Sequence, residues 1–221
     1  MKTTTAFSPV RRLLQQGLLA CGGLFLVAQA GAGSSMDMAM PAAHPHDMSM
    51  HMSMPGEQDG YVRTLANYTI PDVKLVNADG TGVPLRTTLA DRPVILNFIF
   101  TSCGAICPVM SRIFSQVQTA LGPERDKVRM VSISIDPEQD TPAVLKAYAD
   151  KYGAGPQWEM LTGSLKDSIA VQRAFDVYRG DKMDHLPVTF LRASSGQPWV
   201  RLDGFASAAD ILHEYRQLTS N

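Results

Sequence analysis

Residues 95–108, I-L-N-F-I-F-T-S-C-G-A-I-C-P, constrain this chain more than any other stretch. The apolar run from Ile95 to Phe100 reads as a central strand buried on both faces. Cys103 and Cys107 follow its end. Pro108 suits the first turn of a helix, where a missing N–H costs nothing. A strand that stops, a turn holding two thiols and a helix start leave free backbone N–H groups beside sulfur, which favours thiolate. The spacing is C-x3-C, one residue wider than the C-x2-C of dithiol oxidoreductases. The chain has 3 cysteines, and Cys21 falls in an apolar N-terminal segment. The folded part therefore holds one pair, open to three readings: a disulfide, a redox couple or a metal site.

The N-terminal 60 residues divide in two. In residues 1–30, Lys2, Arg11 and Arg12 precede a mostly apolar run from Leu18 to Ala28 that ends in Ala28-Gln29-Ala30. Charge, short apolar core and an A-x-A site are the parts of a signal peptide. The run is shorter than the ~20 residues a spanning helix needs, so an uncleaved anchor is the second reading. Leu18-Leu19-Ala20-Cys21 gives a weaker match to a lipoprotein processing site. Either way the bulk of the chain is expected outside the cytoplasm, in the periplasm or on the outer face of the inner membrane. There, two thiols drift to a disulfide unless they are reduced or metallated.

Residues 31–60 change composition sharply. Met36, Met38, Met40, Met48, Met50, Met52 and Met54, with His44, His46 and His51, alternate with small and polar residues. Such a stretch cannot form a core and is expected to be a disordered leader. A plain linker would not concentrate methionine. Thioethers are soft ligands suited to Cu(I), and imidazole takes Cu(I) or Cu(II), so the leader reads as an auxiliary collector of copper or silver.

The folded domain is expected over 61–221. Charge is nearly balanced, with 20 basic and 21 acidic residues, which recommends no nucleic-acid surface. Strands are predicted at 68–76 (interrupted by Pro71), 94–100, 128–135, 158–162, 188–191 and 199–202, with a short strand or turn at 85–89. Amphipathic helices are predicted at 111–121, 142–152, 164–175 and 207–218. Thr141-Pro142 is a cap followed by an N1 proline. Trp158, Trp199 and Phe205 are expected to be packing residues. The alternation predicts an α/β fold with a mixed sheet and helices on both faces.

The segments F-T-S-C-G-A-I-C-P-V-M (100–110), V-S-I-S-I-D-P-E-Q-D-T-P-A-V-L-K-A-Y (131–148) and D-H-L-P-V-T-F-L (184–191) resemble the SCO/SenC family. Those are copper-binding assembly factors for the CuA centre of cytochrome c oxidase, within the thioredoxin-like superfamily. The resemblance covers about residues 65–218. It implies a three-layer thioredoxin-like sandwich with extra N-terminal strands. It also implies copper ligation, as Cu(I) or Cu(II), by Cys103, Cys107 and His185, and an Asp-Pro element at Asp136-Pro137. The expected client is an apo-cuproprotein, an oxidase subunit foremost, with a thiol reductase as a second partner. Metal delivery involves no turnover of an organic substrate, so the chain reads as a metallochaperone rather than an enzyme. The alternative is a thiol-disulfide oxidoreductase that keeps client cysteines reduced, with Cys103 as nucleophile and Cys107 as resolving thiol.

The chain departs from the family's commonest pattern at Gly104-Ala105-Ile106 between the cysteines, at Leu186-Pro187 after the histidine, and at Arg192. Asp184 is the carboxylate nearest His185 in sequence, and His213 reads as an ordinary exposed helix residue. Met183 lies in the same loop, as a loop methionine first and a donor to incoming copper second. Leu186-Pro187-Val188-Thr189 resembles the cis-proline segment of thioredoxins, and a cis Pro187 is the expectation there.

Overall fold

The computed structural model describes residues 60–220. The expected signal segment and the Met/His leader, with Met36, Met38, Met40, His44, His46, Met48, Met50, His51, Met52 and Met54, lie outside the described residues.

Among the described residues, eight strands and five α-helices run in the order β1 (Tyr61–Ala66), β2 (Lys74–Asn77), β3 (Gly82–Pro84), α1 (Leu85–Thr88), β4 (Val94–Ile99), α2 (Ile106–Leu121), β5 (Arg129–Ser134), α3 (Pro142–Tyr152), β6 (Trp158–Thr162), α4 (Leu165–Ala174), β7 (Val188–Arg192), β8 (Trp199–Gly204) and α5 (Ala208–Thr219). All eight strands form one sheet in the order β1-β8-β7-β4-β5-β6-β2-β3. β4, β5 and β6 are parallel, and every other pairing is antiparallel.

β4 is buried along its whole length, as its unbroken apolar run requires for a strand covered on both faces. Its one polar side chain, Asn97, accepts a hydrogen bond from Ser132 Oγ at 2.7 Å, and Ser132 Oγ in turn accepts from Trp158 Nε1 at 2.9 Å. That polar chain lies on the face covered by α2, where Phe114 meets Trp158. Successive side chains of a strand alternate, so Phe98 points to the opposite face. There it joins Phe175, Phe190, Trp199 and Tyr68 in a cluster of tilted and edge-to-face rings. Phe175 closes α4, which places that helix on the far side of the sheet from α2. The expected mixed sheet with helices on both faces is thus present.

The helix starts follow local chemistry. Thr141 Oγ1 accepts from Val144 N, Ser164 Oγ from Asp167 N, and Ser207 with Asp210 forms a reciprocal capping box. Gly153, at φ 64°, ends α3 in the left-handed conformation that favours glycine.

Three expectations need correction. The strand expected at 68–76 is confined to Lys74–Asn77, because Pro71 cannot donate to a ladder and leaves the residues around it irregular. The stretch 85–89 is a single helical turn packed through Leu85 and Leu89. Phe205 is 43% exposed, whereas Trp158 and Trp199 are buried as expected. Strand β1 had no clear alternation to betray it: it is an outer strand with mostly exposed side chains, held by its pairing to β8.

Candidate metal centre

The cysteine pair sits where β4 ends and α2 begins. Helix α2 starts at Ile106, two residues before Pro108, so Cys107 lies inside its first turn and Cys103 in the preceding turn. Both thiols are free. Cys103 N donates to Phe100 O at 3.2 Å, which folds the turn back on the strand. Cys107 N then donates to Cys103 Sγ at 3.4 Å, and Phe100 N donates to Cys107 Sγ at 3.4 Å.

The two sulfurs differ electrostatically. Partial burial works against ionising Cys103, but the backbone N–H groups of Cys107, Ala105 and Ile106 outweigh it, and the thiol's pKa falls below its ordinary value. Cys107 is buried. That desolvation, reinforced by the nearby Cys103 and Asp140, pushes its thiol up to about 12 despite the Phe100 N–H. Of the two, Cys103 ionises the more readily, and Cys107 keeps its proton.

Asp140 braces the turn from behind. It is fully buried and accepts from Thr101 N at 3.1 Å, Thr101 Oγ1 at 2.5 Å and Ser134 Oγ at 2.6 Å, tying the ends of β4 and β5 together. Sequence reading placed Asp140 in a family motif without a role. Its spacing of four from Asp136 carries no signal of which strand it would brace.

His185 is only 4% exposed, and its Nε2 lies 3.2 Å from Phe98 O. The β4–β7 ladder stops at Asn97↔Thr189. Ile99 O accepts from Ile135 N on the β5 side, so Phe98 and Phe100 turn their backbone groups to the β7 side. Past the ladder's end, His185 takes the carbonyl of Phe98 and Cys107 the N–H of Phe100. A carbonyl can only accept, so Nε2 carries the proton and the neutral ring leaves its lone pair on Nδ1. Burial lowers the His185 pKa, the Phe98 contact opposes this and the nearby Arg179 adds to it, which keeps the ring neutral.

The structure therefore brings Cys103, Cys107 and His185 to one end of β4, but not around a single point. Among the described residues, no three His, Cys, Asp or Glu side chains stand close enough to share a metal ion. Asp184 is exposed, and His213 is exposed on α5 beside Gln217 as expected. Arg192 lies at the other end of β7, buried and stacked 4.4 Å from the Trp199 ring centroid. The cis expectation at Pro187 does not hold, since no peptide bond among the described residues is cis. The trans bond carries an extended chain straight into β7, and Pro187 O accepts from Gly204 N at 2.9 Å in line with the β7–β8 pairing.

A sequence profile of the family described as SCO1/SenC matches residues 63–220. This chain belongs to the SCO1/SenC family. The SCO1 protein homolog of Bacillus subtilis is 36% identical over 104 residues, 47% of this chain and 53% of that protein. The chain thus spans about half the length of the curated relatives it matches. Among solved structures, Bradyrhizobium japonicum ScoI with copper bound superposes with a TM-score of 0.57 at 26% identity, covering 68% of this chain and 99% of that one. BsSco, a Sco-family cytochrome c oxidase assembly protein in which a disulfide switch was identified, gives 0.59 at 28% identity over 69% and 94%. For this SCO1/SenC member the thioredoxin-like α/β fold expected from the motifs is the observed one.

Proposed function

We propose that this SCO1/SenC domain is a periplasmic copper carrier. It takes the ion on Cys103, Cys107 and His185 and passes it to an apo-cuproprotein, with the CuA subunit of cytochrome c oxidase as the client. The observation that carries the reading is the shared edge of β4, where a thiol and an imidazole occupy neighbouring backbone groups. Two thiolates and one imidazole are a donor set that suits Cu(I) and also accepts Cu(II) with a further ligand. Support comes from relatives with copper bound and from the family's link to oxidase assembly.

In this reading Cys103 makes first contact as thiolate. Cys107 gives up its proton as the ion arrives, so loading releases protons. His185 presents Nδ1, with Nε2 held by Phe98 O, the arrangement by which a carbonyl fixes the orientation of a ligating ring. Transfer is then ligand exchange at a site that already lies at the surface end of the sheet. The Met/His leader, residues 31–60, would collect copper from dilute solution, and a thiol reductase would return an oxidised pair to the dithiol.

The test is a Cu(I) titration of the reduced full-length protein beside its His185→Ala variant, which shares the leader. A weaker affinity in the variant is expected, and unchanged affinity would overturn the three-ligand site. One observation favours the second reading, a thiol-disulfide reductase: the contrast between a half-buried Cys103, whose pKa is lowered, and a buried Cys107, whose thiol is pushed up to about 12. Rapid reduction of a disulfide substrate by the copper-free dithiol would move the assignment there.

A further inference from the structure

Besides the contact of the His185 ring with Phe98 O, the loop leading to His185 reaches a distant element among the described residues through one side-chain hydrogen bond. Arg179, Gly180, Asp181, Met183, Asp184 and Leu186 are exposed. Beside the loop lies a hollow of about 230 Å³, lined by Ile135, Ile169, Gln172, Tyr178, Lys182 and His185 among others. Most hydrogen bonds of 179–184 are local. Arg179 reaches back to Tyr178 O and Asp176 O, Met183 N donates to Asp181 Oδ1, and Asp184 N donates to Asp181 O. Among the described residues, the one side-chain hydrogen bond from 179–184 to a distant element runs from Lys182 Nζ to Asp136 Oδ2, at 2.5 Å.

That contact ties three parts of the site together. Asp136 follows the end of β5, is 8% exposed and has its N–H bound to Ser134 Oγ, so its carboxylate is well placed. The Lys182 ammonium also lies 5.7 Å from the ring centroid of Phe100, the residue whose N–H meets Cys107 Sγ. Lys182 O accepts from His185 N at 3.2 Å, which closes the turn leading to the imidazole.

We infer that Lys182, through Asp136, is a positioning residue for the third copper ligand. The ion pair clasps the turn 182–185 to the ends of β4 and β5 and so keeps His185 at the sheet edge beside the cysteines. Neither residue touches the ion. The inference rests on His185 being a ligand, and the clasp itself can be tested without copper.

Two measurements on the reduced full-length chain test it. In the copper-free protein, Lys182→Leu is expected to speed amide hydrogen exchange at Met183, Asp184 and His185 while leaving Val188–Arg192 unchanged. Unchanged exchange at those three amides would overturn the clasp. The second measurement uses Cu(II) alone as the probe, read by its thiolate charge-transfer absorption. Lys182→Leu and Asp136→Asn are each expected to weaken binding about tenfold, the low end for groups that orient metal ligands. The double variant should lose no more than either single one, and Lys182→Arg should restore binding. In a His185→Ala background Lys182→Leu should have no effect, and an equal loss there would overturn the positioning role. If His185→Ala itself binds as tightly as the parent, the three-ligand reading fails, and the exchange result still decides whether the clasp exists.

Discussion

The Nε2 of His185 lies 3.2 Å from the carbonyl oxygen of Phe98, at the point where the β4–β7 ladder gives out. A histidine that sequence alone leaves on a loop is thereby anchored to the strand that leads into the cysteine pair. The contact fixes which ring nitrogen is available.

The tautomer is the first expected outcome. In the metal-free protein at neutral pH, 15N spectra of the imidazole should show Nε2 protonated and Nδ1 bare. On copper loading, the change should fall on Nδ1. A bare Nε2 in the metal-free protein would sink this assignment.

Thiol reactivity should follow the difference in environment. Iodoacetamide is expected to modify Cys103 at least about tenfold faster than Cys107, because the thiolate is the nucleophile and Cys107 is both protonated and buried. Peptide mapping after a short exposure of the reduced protein reads the order directly. Equal labelling would contradict the asymmetry.

Alkaline stability carries the same signature. The Cys107 thiol titrates near 9.0 when unfolded and at about 12 in the fold. Above pH 9 the unfolded chain has released this proton while the native chain retains it, so the native state binds more protons and stability falls as pH rises toward 12. Urea unfolding of the reduced protein should steepen its pH dependence over that range relative to Cys107→Ser. Parallel pH profiles for the two proteins would refute the linkage.

Asp140→Ala should be costly. It strips acceptors from Thr101 N, Thr101 Oγ1 and Ser134 Oγ behind the cysteine turn. Buried donors left unmade cost about 1–3 kcal/mol each, and partial relaxation should bring the total to about 3 kcal/mol. Chemical denaturation measures the loss, and a cost below about 1 kcal/mol would show that water replaces the carboxylate.

Much of the fold was legible because its signals are local. An unbroken apolar run marks β4, the Thr141-Pro142 and Ser207 caps mark helix starts, and the β-branched stretch before Asp136 marks β5. The outer strand β1 escaped notice because its side chains are mostly exposed and its stability comes from backbone pairing with β8, which has no periodic trace. The segment around Pro71 was overread, since apolar content alone does not supply a donor for a ladder.

The sequence by itself determined the candidate donors. It put two thiols four residues apart at a strand-to-helix switch and a histidine within a family motif, because residue type and close spacing are written directly in the chain. Only the tertiary structure decided how those side chains differ and where they stand. Burial separates Cys103 from Cys107, the open edge of β4 takes up His185, and Lys182 reaches Asp136 across 46 positions of chain. Desolvation and long-range hydrogen bonding depend on what packs nearby, and that is settled only when the strands are in register.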